Sequence, residues 1–432
     1  MKIKPRSLWL EISPDRYLCF QVIWNKIETL DLIGEWEEAE RLYRGLIEKI
    51  NHLPQLLARV RLALGDLLVR KGAYDSALQL LEQNRQYCLN SGDRHGLCRN
   101  LGLIGDVHSR RGEYDLALHY FSEMEALATI IGSRDLIARC CNLLGNYYSD
   151  RGDFQKAEPC YQQWLDIAKE DNDLKDLAHA TGSLGNVFFR QGMKLQALDS
   201  YRSSLEISRK IGDKSSMLSA LGNSGLVYKQ QGQYHQAKEC FLQVRDISQS
   251  IGYRHSVSIA LGALGELERE LGNFSEAELY LKKRLPLIEE LGDRRGQCIT
   301  WGLLGKLYLD QNNLATAEQA LSRSLEIGRG SGIDFFLCDY LDSLSQLCLK
   351  QGRLPEAKAY ARESLAMARA ANNKDIIWQS RFHHAQALMA DDPGAAKEEM
   401  ESLSKDAPGE NERELLLSLL RQLRKDDEIA PK

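Results

Sequence analysis

The chain has 432 residues, 43% of them hydrophobic and 27% charged, with a formal net charge of −5. That balance is ordinary for a globular chain and excludes a whole-molecule positive field of the kind that gathers nucleic acid. Its ten cysteines follow no metal-ligand or disulfide spacing, and no apolar run approaches the roughly 18 residues of a membrane span, so a cytoplasmic protein with reduced thiols is expected.

In chain order, the first residues, MKIKPRSLWLEISPDRY, carry neither the apolar core nor the cleavage site of a leader. Residues 1–14 form an N-terminal segment in which Trp9 and Leu10 belong to no predicted element. Residues 15–53 read as a divergent first helix pair, with Gly34 for its turn and Ala39 for its small position. From 54 to 373 the chain runs in eight units of forty residues. Glycine recurs at Gly65, Gly105, Gly145, Gly185, Gly225, Gly265 and Gly305, and twelve residues after each stands an alanine, from Ala77 to Ala317. The eighth copy has Ser345 and Ala357 at these places. A fixed period of this length marks a stacked-repeat solenoid, in which each unit buries its core against its neighbours.

The unit 94–133 shows the design. Apolar residues at Leu97, Leu101, Ile104 and Val107 recur at helical steps, Gly112 supplies a left-handed turn, and a second helix follows from Tyr114 to Ile130. Gly132 closes it; in other copies an aspartate (Asp93, Asp213, Asp293) follows that glycine and caps the next helix. A glycine inside a helix costs about 1 kcal/mol relative to alanine, so interior glycines in register require a close helix crossing at Gly105 and Ala117. The aromatic positions Phe121, Tyr161, Tyr201 and Phe241 are expected to fill the space between one pair and the next. After 373 the pattern decays. A helix is predicted over 376–389, a turn at Asp391–Gly394, and a capping helix over 412–424 with Asn411 as its cap. Residues 374–425 are thus a degenerate repeat plus cap, and 426–432 a mobile tail.

With the helical pair in place, the set Leu144-Gly145, Tyr148, Gly152, Ala157 and Tyr161 resembles the tetratricopeptide repeat (TPR) signature. It recurs as Leu184-Gly185, Phe188, Gly192, Ala197 and Tyr201. The forty-residue spacing is longer than usual for that family. The tripeptide Leu-Gly-Asn at 144–146 and 184–186, and out of register at 221–223, is similar to Pins/LGN-type repeats and to TPR regions of bacterial signalling proteins. The resemblance implies an all-α, right-handed superhelical solenoid of about ten antiparallel helix pairs with a C-terminal capping helix. It also implies that the first helix of each pair lines a concave groove.

On that implication, groove positions fall six and three before the signature glycine and one, four and five after it; the candidates are Arg59, Arg99, Arg139 and His179 (six before), Asn146 and Asn186 (one after) and Arg110 and Arg190 (five after). Asparagine amides both donate to and accept from a passing backbone, and arginine forks grip carboxylates. The expected ligand is an acidic or mixed-charge peptide segment; the competing reading is that arginine and aspartate neighbours pair with each other on a solvated face. No two histidines stand three or four residues apart, no phosphate-cradling glycine loop occurs, and no serine, histidine and acid converge by spacing. The sequence therefore predicts no catalytic or metal residue and no cofactor. Its expected role is a non-catalytic scaffold that binds a partner's peptide segment, with no membrane or nucleic-acid role. The alternative is a regulatory or sensor protein acting on an enzyme or transcription factor.

Overall fold

A computed structural model describes residues 14–33, 35–329, 334–370, 374–405 and 413–421. Among them every regular element is an α-helix, and the helices pair in chain order. The pairs are α1 (Pro14–Ile33) with α2 (Trp36–Lys49), α3 (Pro54–Lys71) with α4 (Tyr74–Ser91), α5 (Arg94–Arg110) with α6 (Tyr114–Ile131), and α7 (Arg134–Asp150) with α8 (Phe154–Glu170). Next come α9 (Leu174–Arg190) with α10 (Lys194–Ile211), α11 (Lys214–Gln230) with α12 (Tyr234–Ser250), and α13 (Arg254–Glu270) with α14 (Phe274–Glu290). The last are α15 (Arg294–Asp310) with α16 (Leu314–Arg329), α17 (Asp334–Lys350) with α18 (Leu354–Ala370), and α19 (Lys374–Leu388) with α20 (Pro393–Leu403). A further helix, α21, covers 413–421. This is the helical-hairpin solenoid that the period predicts.

The hairpins close as the glycines require. Gly112 takes φ 77°, in the left-handed region that side chains avoid. Asn312 does the same work at φ 58° in the α15–α16 turn, and Asn172, at φ 53°, stands between two pairs where other copies have Gly132 or Gly212. Asp93, Asp213 and Asp293 cap the next helices, Asp93 by accepting from the Gly96 amide at 2.9 Å.

One expectation gains a detail. The aromatic rings pack against the next pair, as Phe121 does on Tyr147, and also cover their own pair's glycine. A Cβ at Gly105 would sit 2.6 Å from the Phe121 ring, and one at Gly145 would sit 2.6 Å from the Tyr161 ring. Glycine is needed there because the ring occupies the volume of its missing side chain. A difference from expectation is α20, where the sequence offered only a turn. Asp392 accepts from the Ala395 amide at 3.0 Å, Pro393 opens the helix, and Ala396, Met400 and Leu403 are buried. Trp9, Leu10, the Asn411 cap and the tail lie outside the described residues.

The chain divides into two compact units, one ending at Val257 and one beginning at Ser258. In the first, Phe121, Met124 and Tyr147 belong to one stretch of core and Tyr161, Trp164 and Leu184 to the next. Arg254 Nη1 lies 3.8 Å from Glu35 Oε1, so the superhelix of this unit carries its last hairpin boundary back to its first loop. In the second, Leu321, Tyr340 and Leu344 anchor a core, and Phe382, Met400 and Leu416 close the C-terminal end.

Candidate functional site

Within the first unit, α5, α7, α9 and α11 present their inner faces to a groove of about 440 Å³. Asp106 and Arg110 come from α5, Asn146, Ser149 and Asp150 from α7, Asn186, Phe189 and Arg190 from α9, and Asn223 and Leu226 from α11. Tyr161, from α8, reaches the same groove.

Tyr161 gets there because of Gly145. With no Cβ in the way, the ring lies flat on α7 and its hydroxyl donates to Asn146 Oδ1 at 2.7 Å. The next unit repeats the device: the Tyr201 ring covers Gly185 and its hydroxyl donates to Asn186 Oδ1 at 2.8 Å. The out-of-register Asn223 donates to that same oxygen at 2.8 Å. Among the seven copies with the glycine, the hydroxyl occurs only where an amide follows it; the divergent first pair has Tyr43 at the ring position with Glu28 at the amide's place. Where Asp66, Asp106, Leu226, Glu266 or Lys306 follows, the ring position holds Leu81, Phe121, Phe241, Leu281 or Leu321. In these two copies the tyrosine hydroxyl meets an asparagine, whereas apolar side chains fill the packing role in the other five.

The consequence is orientation. With its oxygen taken by a tyrosine, each amide is left with its nitrogen as the group that can donate. Among the described residues, no acceptor takes the Asn186 Nδ2 hydrogens; Asn146 Nδ2 gives one to Asn142 Oδ1 at 3.1 Å and keeps the other. Such donors suit backbone carbonyls of an extended chain.

The groove's charges nearly cancel. Arg110 Nε lies 3.1 Å from both Asp106 carboxylate oxygens. Burial pushes the Asp106 carboxyl above its ordinary value, although Arg110 pulls the other way. Burial also raises Asp150, opposed by Arg190 and Arg110. Arg190 is exposed.

Of the eight residues expected in the groove, the depression gathers Arg110, Asn146, Asn186 and Arg190. The six-before positions lie about two turns earlier on the same helices. Arg59 is exposed on α3, and Arg99 Nη2 pairs with Asp135 at 3.0 Å. Arg139 is half-buried on α7, its Nε covered and without a hydrogen-bond partner. His179 Nε2 contacts Ser216 Oγ at 3.1 Å and Asp213 at 3.4 Å, with its ring stacked against Trp164. Ser149 and Phe189, four residues after the signature glycine, lie in the groove as register expects, whereas Tyr161 was missed as a groove residue. The signal that finds Tyr161 is its hydroxyl, fifteen residues after an asparagine.

All ten cysteines are free thiols. Burial pushes Cys88, Cys98, Cys240 and Cys348 up to about 11 and Cys141 up to about 12, which keeps them protonated and unreactive. Among the described residues no three histidine, cysteine or acidic side chains are placed to hold a metal, and no helix is long and apolar enough to cross a membrane.

Fold and groove together define a helical-repeat protein of the TPR class. The profile of the MalT-like TPR region matches residues 218–423, and a tetratricopeptide repeat profile matches 56–130 and 136–210. The chain belongs to the tetratricopeptide-repeat family. Similar solved structures include a Rap protein complexed with competence and sporulation factor (14% identity, TM-score 0.56, covering 85% of this chain and 98% of that one). Aspartyl phosphate phosphatase F from Bacillus subtilis is another (17% identity, TM-score 0.56, 80% and 93%). The apo form of RapI is a third (16% identity, TM-score 0.52, 63% and 97%). At these identities the likeness is one of fold. No curated protein matches the chain significantly.

Proposed function

We propose that this protein is a non-catalytic interaction scaffold whose first unit binds an extended segment of a partner protein along α5, α7, α9 and α11. The observation that carries the reading is the pair of tyrosine-held asparagines. A fold-only requirement would place any apolar residue on the glycine, as five other copies do. The pairing of hydroxyl with amide points instead to a backbone ligand. Because Arg110 and Arg99 already face carboxylates, the segment is of mixed charge rather than simply acidic. Its backbone carbonyls meet Asn146 and Asn186, its acidic groups meet Arg190, and an apolar side chain rests on Phe189 and Leu226.

A regulatory role is the second reading. It is favoured by the match to the MalT-like region and by the similar Rap protein, solved in complex with competence and sporulation factor. In this reading the bound segment changes the activity of a partner enzyme or transcription factor.

The test is capture of partners from the native source, mapping of the bound segment, and titration of that segment against Asn146→Ala/Asn186→Ala. Loss of two amide hydrogen bonds at about 1 kcal/mol each predicts roughly a 30-fold weaker complex. Undiminished affinity removes the groove from the account. A change in the partner's activity on binding selects the regulatory reading.

A further inference from the structure

Units of a helical-repeat solenoid touch only their neighbours, so a contact that skips several hairpins needs its own explanation. The first unit has one. Arg254 Nη1, at the start of α13 and still inside this unit, lies 3.8 Å from Glu35 Oε1, which stands between α1 and α2 more than two hundred residues earlier. The arginine three periods before Arg254 shows the ordinary arrangement: Arg134 pairs with Glu170, only 36 residues on.

Both sides of the long-range contact are braced from behind. Beside Glu35, at the end of α1, Asp31 is gripped by both Nη atoms of Arg70 on α3, each at 2.7 Å. On the far side Gly252 takes φ 75°, and the Tyr253 amide donates to the Ser248 carbonyl at 2.8 Å, which fixes the turn that delivers Arg254. Tyr253 is half-buried at the same place. Burial pushes its hydroxyl above the ordinary value, and the fields of Asp213 and Asp31 act in the same direction.

The pair itself is built to be broken. With 50% of the Glu35 side chain and 38% of the Arg254 side chain open to solvent, it is an exposed ion pair that salt screens. Its ends are the two ends of an arc of six hairpins, α1 to α12. A small change at each hairpin boundary adds up along that arc and is felt most where the ends meet. The inner helices α5, α7, α9 and α11 belong to the same arc, so the span of the asparagine groove follows the curvature that the pair fixes.

We propose, on the groove reading above, that Glu35 and Arg254 form a salt-sensitive clasp that holds the first unit at one curvature. Its release lets the arc straighten and lengthens the span from α5 to α11, which regulates the fit of a partner segment in the groove.

The test uses the full chain without ligand and distances between spin labels. In a Cys19→Ser background, which removes the exposed thiol, labels on Val22→Cys and Gln249→Cys read the clasp. Labels on Arg110→Cys and Leu226→Cys read the groove span. At about 0.1 M salt, where charges are screened over roughly 10 Å, the clasp distance is short; at about 1 M, where that length is about 3 Å, both distances lengthen by several ångström. Glu35→Lys gives the long distances already at the lower salt. Glu35→Lys/Arg254→Glu, which exchanges the signs of the pair, restores the short ones. Distances that ignore both salt and Glu35→Lys, or an exchanged pair that restores nothing, show that there is no clasp. A clasp distance that lengthens over a constant groove span shows an opening that the groove does not feel. Each of these results overturns the proposal. With no ligand present, they are separate from the binding loss in Asn146→Ala/Asn186→Ala that tests the groove itself.

Discussion

Tyr161 and Asn146 are joined by a 2.7 Å hydrogen bond that crosses from the second helix of a hairpin to the first, over the backbone of Gly145. Three residues thus act as one part: the glycine makes room, the ring packs, and the hydroxyl sets the direction of the amide. Removing only the hydroxyl separates packing from orientation. Tyr161→Phe with Tyr201→Phe is expected to retain helicity and to melt within a few degrees of the wild type. Peptide affinity falls about fivefold for each lost hydroxyl, since a neutral hydrogen bond contributes about 1 kcal/mol. Circular dichroism and a binding titration check the two halves of that statement.

Two glycines should respond in opposite directions. At Gly145 an added Cβ meets the Tyr161 ring at 2.6 Å, whereas at Gly222 nothing lies within 4 Å. Gly145→Ala gains about 1 kcal/mol of helix propensity but overpacks the crossing at a cost of about 1–3 kcal/mol, for a net loss of stability. Gly222→Ala keeps the propensity gain and is stabilised by about 0.5–1 kcal/mol. Denaturant midpoints of the two variants are the measurement.

Acid should weaken the cap of α11. Burial alone would raise the carboxyl of Asp213, but the Ser216 hydroxyl at 2.6 Å, the Ser216 amide and nearby His179 together hold it below its ordinary 3.8. A depressed folded-state value means that the stabilisation is present above 3.8 and is lost as pH falls through the lowered value. Asp213→Ala is therefore expected to cost about 1 kcal/mol at neutral pH, with the difference from wild type shrinking in that acid window. Urea titrations at pH 7 and below pH 3 provide the comparison.

The hairpin pattern was legible because forty residues repeat without a slip, so Gly105, Ala117 and their counterparts reinforce one another. The groove was legible by half. Arg110, Asn146, Asn186 and Arg190 sit where register places them, but register does not report partners. Arg99 is engaged by Asp135 from the next unit's first helix, and His179 by Asp213 and Ser216, likewise one unit on. Tyr161 was read as core because its ring is core, while its hydroxyl is not. Helix α20 was missed because the period ends before it and only its cap, Asp392-Pro393, remains as a signal. Arg284 was hidden in the run Lys282-Lys283-Arg284, which reads as a solvated face. Only the packing of α14 shows that its third member turns inward while the two lysines stay exposed.

The central claim is that the inner helices do the recognising, and site-specific photo-crosslinking tests it most directly. A benzophenone side chain at Leu226, in the groove on α11, is compared with one at Leu195, 75% exposed on the second helix α10. With the mapped partner segment, crosslinks are predicted at 226 and not at 195. Crosslinking confined to 195 would contradict the account.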